Sequence, residues 1–150
     1  KAIETRSWNT NHRGWLAIHA SKTMSRDARE ICFDEPFFSA LAVLGDWVPD
    51  CEAPATTKPN LPFGSIIAVV NLYKVGKIGR RQDGAVIVNS LGLPITGDEL
   101  AFGNYAPGRY AWCFGTSCYR LKEPIACRGS LGLWTVPAEV EAKIREQVKL

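Results

Sequence analysis

Near the start of the chain, Lys1, Glu4 and Arg6 bring an amine, a carboxylate and a guanidinium close together. On an extended backbone Glu4 and Arg6 point to one face, roughly 6.5–7 Å apart along the strand. Turned toward an apolar core, such a pair costs several kcal/mol unless it is hydrogen-bonded, so it belongs on solvent or in a polar cleft. In a cleft the guanidinium suits a phosphate or a base edge, and the carboxylate suits proton transfer. A solvated ion pair on a strand edge accounts for the same residues equally well.

His19 lies on the polar side of a short apolar segment, with Lys22 following it. Its imidazole fits a general base, a stacking ring or a hydrogen-bonded structural histidine. Trp8, Trp15, Tyr105, Tyr110, Trp112 and Trp134 are interleaved with Arg6, Arg13, Arg109 and Arg128. Aromatic faces stack on unpaired bases and arginines contact phosphates, the combination that single-stranded nucleic acid requires. At least half of these rings are expected in the core instead.

Other chemistries lack their residues. There is no nucleophile elbow, phosphate loop, dinucleotide fingerprint or His-Glu-x-x-His. The five cysteines, Cys32, Cys51, Cys113, Cys118 and Cys127, form no CxxC pair, and His12 and His19 have no helical ligand spacing. The sequence predicts reduced thiols in a cytoplasmic protein, with no metal and no cofactor.

The elements that must carry these residues follow from periodicity. Residues 1–8 alternate, with Ala2, Glu4, Arg6 and Trp8 on one face and Lys1, Ile3, Thr5 and Ser7 on the other. A turn over 9–14 leads to a strand over 15–20. A helix is predicted over 25–33, capped by Ser25, and another over 36–44, stopped by Gly45. Four prolines within 46–62 mark a surface excursion. Strands are predicted over 65–73, 85–88, 110–114 and 124–127, with turns over 80–84 and 115–122. Pro137 opens a final helix with Val140, Ile144 and Val148 as its apolar stripe, supported by Glu139–Lys143 and Glu141–Arg145 pairs.

This is an α+β pattern, read as a small barrel or strongly curved sheet. At 150 residues, 46% hydrophobic and 22% charged, the chain is one globular domain's worth, neither disordered nor coiled coil. No apolar run approaches the roughly 18 residues of a membrane span. The net charge of +3 conceals blocks: residues 31–57 hold five acids and no base, and 58–81 hold five bases and no acid. The basic stretch Lys74–Arg81 fits either a solvated hairpin or a surface that tracks a nucleic-acid backbone.

The segment Lys1–Ala2–Ile3–Glu4–Thr5–Arg6 resembles the signature of ASCH domains, Gly-x-Lys-x-x-Glu-x-Arg. The similarity continues through Arg13–Gly14, Ile18–His19–Ala20–Ser21–Lys22 and Pro62–Phe63–Gly64–Ser65–Ile66. It runs on through Tyr105–Ala106–Pro107–Gly108–Arg109–Tyr110–Ala111–Trp112, Pro124–Ile125 with Arg128–Gly129, and Gly132–Leu133–Trp134. These blocks follow the order seen in bacterial and phage members and span most of residues 1–136.

The resemblance implies a PUA-like small β-barrel with flanking helices, and a cleft into which the Lys-x-x-Glu-x-Arg strand projects. It implies an ASCH domain over 1–136 without its opening strand and helix, and a C-terminal helix over 137–150 packed on it. Family members are thought to bind RNA or modified nucleobases, and some are hydrolases, including acetylcytidine amidohydrolases and a ribonuclease. In the amidohydrolases a threonine stands where this chain has Glu4, and Thr5 should face the other way.

Two functions are therefore expected. The first is binding of RNA, single-stranded nucleic acid or a modified nucleotide through Arg6, Trp8, Arg13, His19, Lys22, Tyr105 and Arg109. The alternative is a metal-independent hydrolase of acylated nucleosides or RNA. In it Lys1 acts as an activated amine or electrostatic stabiliser and Glu4 as the base that orients water.

Overall fold

The structure is a computed structural model and describes residues 1–43, 61–92 and 94–149. In chain order it contains β1 (Ile3–Arg6), β2 (Gly14–His19), α1 (Arg26–Ile31), α2 (Phe37–Val43) and β3 (Ser65–Arg80). There follow β4 (Val86–Val88), α3 (Asp98–Ala101), β5 (Tyr110–Ala126) and α4 (Ala138–Gln147). The fold is α+β, as the periodicity predicts. The sheet runs β1–β5–β3–β2, with β4 also paired to β3. The β1–β5 and β3–β4 pairs are antiparallel. Among the described residues the sheet is not closed into a barrel.

Two compact units share the chain, each discontinuous in sequence: residues 1–17 with 69–120, and 18–68 with 121–150. The domain expected over 1–136 thus contributes to both, and α4 shares the second unit with residues 121–137.

In the first unit, β1 alternates as its sequence dictates. Thr5 is buried and Ile3 packs against a cluster of Ile78, Val88, Ile95, Tyr105, Ala111 and Cys113. Cross-strand pairing sets Ile3 opposite Cys113, Glu4 opposite Trp112, Thr5 opposite Ala111 and Arg6 opposite Tyr110. Glu4 and Arg6 therefore emerge on the face away from that cluster.

The register of β5 against β3 is set by a short turn. In Ala106–Pro107–Gly108–Arg109 the Arg109 N–H donates to the Ala106 carbonyl at 3.3 Å, and Gly108 has a φ of 87°. Proline second and glycine third make a type II turn. Gly108 N–H then donates to the Ile78 carbonyl, and Ile78 N–H to the Arg109 carbonyl. Two residues opposing one, the first a left-handed glycine, form a G1 bulge.

Two elements are longer than predicted. β3 continues through Arg80, so Lys74, Lys77 and Arg80 lie on a strand, and only Arg81–Gly84 turn the chain into β4. β5 is one strand of 17 residues where two short strands and a polar turn are expected. Its middle, Gly115–Arg120, has half-exposed or exposed side chains, so apolar alternation is weak there. Backbone hydrogen bonding along β3 holds it extended regardless. α3 was not expected at all.

In the second unit, Ser25 caps α1 by accepting from the Ala28 N–H at 3.1 Å, as predicted. α4 follows Pro137 and buries Val140, Ile144 and, just past its end, Val148. Arg145 pairs with Glu141 at 2.7 Å. Gln147 holds both backbone groups of Glu123, each at 3.0 Å. The helix end expected at Leu44–Gly45, and residues 46–60 of the proline-rich excursion, lie outside the described residues, as does Cys51. Of the other cysteines, Cys32 and Cys113 are buried, Cys127 is half-buried and Cys118 is exposed, all with free thiols.

Candidate nucleic-acid interface

Strand β1 in the first unit gathers four of the predicted residues. The Glu4 carboxylate bridges two cations: Lys1 Nζ lies 2.9 Å from one oxygen, and Arg6 Nη2 lies 3.3 Å from the other. The Arg6 side chain remains 52% exposed, so this is a solvated cluster and not a sealed core pair. Each such pair contributes at most about 1 kcal/mol to stability. Its consequence is orientation: the carboxylate holds one edge of the guanidinium and leaves the remainder facing solvent.

Beside it, Trp8 and Trp112 meet edge to face, with ring centroids 4.7 Å apart at 89°. Trp112 is buried, whereas Trp8 is 38% exposed. The Trp112 indole N–H donates to the Trp8 carbonyl at 3.4 Å. The buried ring thus steadies the exposed one, which presents an indole surface two residues along the chain from Arg6. A second exposed pair, Trp15 and Tyr119, lies with centroids 5.6 Å apart.

The other predicted residues in this unit are not gathered there. Arg13 donates to the carbonyls of Thr10 and His12, bracing its own turn. Tyr105 is 7% exposed in the core, so it offers no face to a base. Its hydroxyl donates to Glu99 at 2.9 Å, and burial, reinforced by that carboxylate, pushes its pKa up. Arg109 donates to the carbonyls of Asn104 and Thr5, which ties the bulge to β1 and leaves less of the guanidinium for a ligand.

In the second unit, the His19 Nε2–H donates to the Cys127 carbonyl at 2.9 Å. A carbonyl only accepts, so this nitrogen carries a proton. The ring meets Trp134 edge-on with centroids 6.0 Å apart. A β-carbon at Gly129 would lie 2.6 Å from its Cε1. His19 is thereby packed on the 127–134 segment as a hydrogen-bonded structural histidine. Lys22 is exposed, its stem alongside Gly64.

Glu99 is a residue that sequence reasoning missed. One carboxylate accepts the Ala2 and Ile3 N–H groups, at 2.7 and 3.2 Å, as well as the Tyr105 hydroxyl. It anchors the strand that carries the cluster. The only local signal is the acidic pair Asp98–Glu99 after Gly97, which marks a helix start and not a clamp.

Among the described residues, no three or more His, Cys, Asp or Glu side chains converge as metal ligands. A groove of about 510 Å³ lies at Arg80–Asp83 in the first unit, and one of about 550 Å³ lies between Lys122–Ala126 and α4 in the second. Neither is lined by Glu4 or Arg6. No helix among the described residues is long and apolar enough to cross a membrane. No protein-family model matches the chain, and no curated protein is significantly similar to it.

Proposed function

We propose that the chain binds RNA or another single-stranded nucleic acid, with Arg6 meeting phosphate or a base edge and Trp8 supplying a stacking surface. The observation that carries this is the solvent-facing Arg6 guanidinium, held on one edge by Glu4, with the exposed Trp8 two residues along and packed on Trp112, the residue opposite Glu4. An exposed cation and an exposed aromatic two residues apart suit a substrate that offers a phosphate and an unpaired base together. The resemblance to ASCH domains points the same way, and the proposal includes the PUA-like barrel which that resemblance implies.

The test is titration of a labelled single-stranded RNA at two salt concentrations. Binding should weaken as salt rises, and Arg6→Ala should flatten the plot of log affinity against log salt by about 0.7. Binding that ignores both salt and Arg6→Ala would overturn the proposal. Release of acetate from an acetylated nucleoside that is lost in Glu4→Gln would move the assignment to hydrolysis.

A further inference from the structure

The two registers described above place four residues in one line across the sheet. Arg6 on β1 is opposite Tyr110 on β5. The bulge sets Gly108 and Arg109 against Ile78, so the next residues along each strand, Tyr110 and Lys77, face each other. On the far side of β3, Ile78 is opposite Val88, and the Asn89 N–H donates to the Lys77 carbonyl at 2.9 Å. Asn89 is therefore the next in line. Directly opposed residues in an antiparallel sheet project to one face.

That face is the one Glu4 occupies. Ile78, Val88, Ala111 and Cys113 all lie in the core cluster, and their strand neighbours Lys77, Asn89, Tyr110 and Trp112 point the opposite way. Lys77 and Asn89 are exposed and Tyr110 is half-buried. Asn89 has a defined seat: a β-carbon at Gly79 would lie 2.2 Å from its Oδ1, so its amide leans over the bare backbone of Gly79.

From this juxtaposition we infer that Arg6, Tyr110, Lys77 and Asn89 form a continuous strip that binds a single-stranded oligonucleotide running across the strands. The inference rests on the nucleic-acid reading of Arg6 and extends it to three residues on two further strands and the β4 flank. Neighbouring strands are about 4.8 Å apart, so Arg6 and Lys77 stand roughly 10 Å apart with an aromatic ring midway. The two cations suit successive or alternate phosphates, Tyr110 suits an unpaired base stacked between them, and the Asn89 amide suits a base edge. A duplex hides its base faces and does not satisfy this arrangement.

The experiment uses the full chain and a labelled single-stranded RNA octamer. Lys77→Gln should lower the salt slope by about 0.7, and Tyr110→Leu, which keeps an apolar body but removes the π-face, should weaken binding roughly tenfold. Replacing one uridine by 4-thiouridine should yield a photo-crosslink to the strip, located by peptide mass spectrometry. Lys77 and Asn89 are exposed, so Lys77→Gln and Asn89→Ala keep the test informative should Tyr110→Leu fold poorly. If Arg6→Ala loses binding while Lys77→Gln, Asn89→Ala and the crosslink site show no involvement, the strip is overturned and the binding function stands. If the wild-type chain shows no salt-sensitive binding, the function itself falls. A duplex of the same sequence that binds as tightly would also overturn the strip.

Discussion

Gly129 and His19 show how a residue's role is settled by what it touches. His19 is anchored at Nε2 by the Cys127 carbonyl, and its Cε1 occupies the space a side chain at 129 would need. Gly129→Ala should push the imidazole off that carbonyl and lower stability by about 1 kcal/mol, the net value of one hydrogen bond. A moved His19 ring resonance in NMR, together with a lower urea midpoint, would verify both effects. Trp112 is an opposite case, an aromatic ring with arginines close in sequence that proves to be buried. Trp112→Ala should cost about 3–5 kcal/mol, and Trp8 fluorescence should shift to the red as that ring loses its support. A ring's type is visible in sequence, but whether it presents a face or fills a core depends on neighbours more than a hundred residues away.

At the scale of elements, the cap signal at Ser25 is borne out, whereas the polar turn expected over 115–122 is part of a continuous strand. Ser25 caps α1 where a serine before a helical pattern predicts it, and Ser25→Ala should cost about 1 kcal/mol. The Pro107–Gly108 turn has greater reach because it sets the register between β5 and β3. Gly108 has a φ of 87°, where a β-carbon costs roughly 1–2 kcal/mol. Gly108→Val should therefore lower the thermal midpoint, and amide exchange at Ile78, which donates to the Arg109 carbonyl, should accelerate. What could not be read was the extent of β3 and β5. Their later and middle stretches carry charged or polar side chains, so apolar periodicity fades. The backbone ladder, which does not depend on side-chain polarity, keeps them extended.

For the molecule as a whole, the buried titratable groups set a stability profile. Burial raises the pKa of Cys113, with Lys74 opposing, and burial also raises Cys32 and Tyr105. A group whose folded pKa lies above its unfolded value stabilises fully below the unfolded value and loses that contribution as pH rises through the folded one. The contribution of these three groups should thus be full up to about pH 8.5 and decline above it. Urea midpoints from pH 7 to 10.5 would record the decline, and Cys113→Ala should lessen its slope. Among the described cysteines, alkylation at neutral pH should modify exposed Cys118 first and spare Cys32 and Cys113 until unfolding.

By itself, the sequence determined the α+β class, the alternation of β1 that separates Glu4 and Arg6 from Ile3 and Thr5, the Ser25 cap and the turn into β4. All of these are local: they depend on residues within a few positions of each other and on steric rules any chain obeys. The tertiary structure alone decided that Tyr105 and Arg109 support the fold, that Glu99 holds β1, and that Arg6, Tyr110, Lys77 and Asn89 stand in one line. Each of these is a contact or register between strands far apart in sequence. A slip of one residue would have turned every such side chain to the other face.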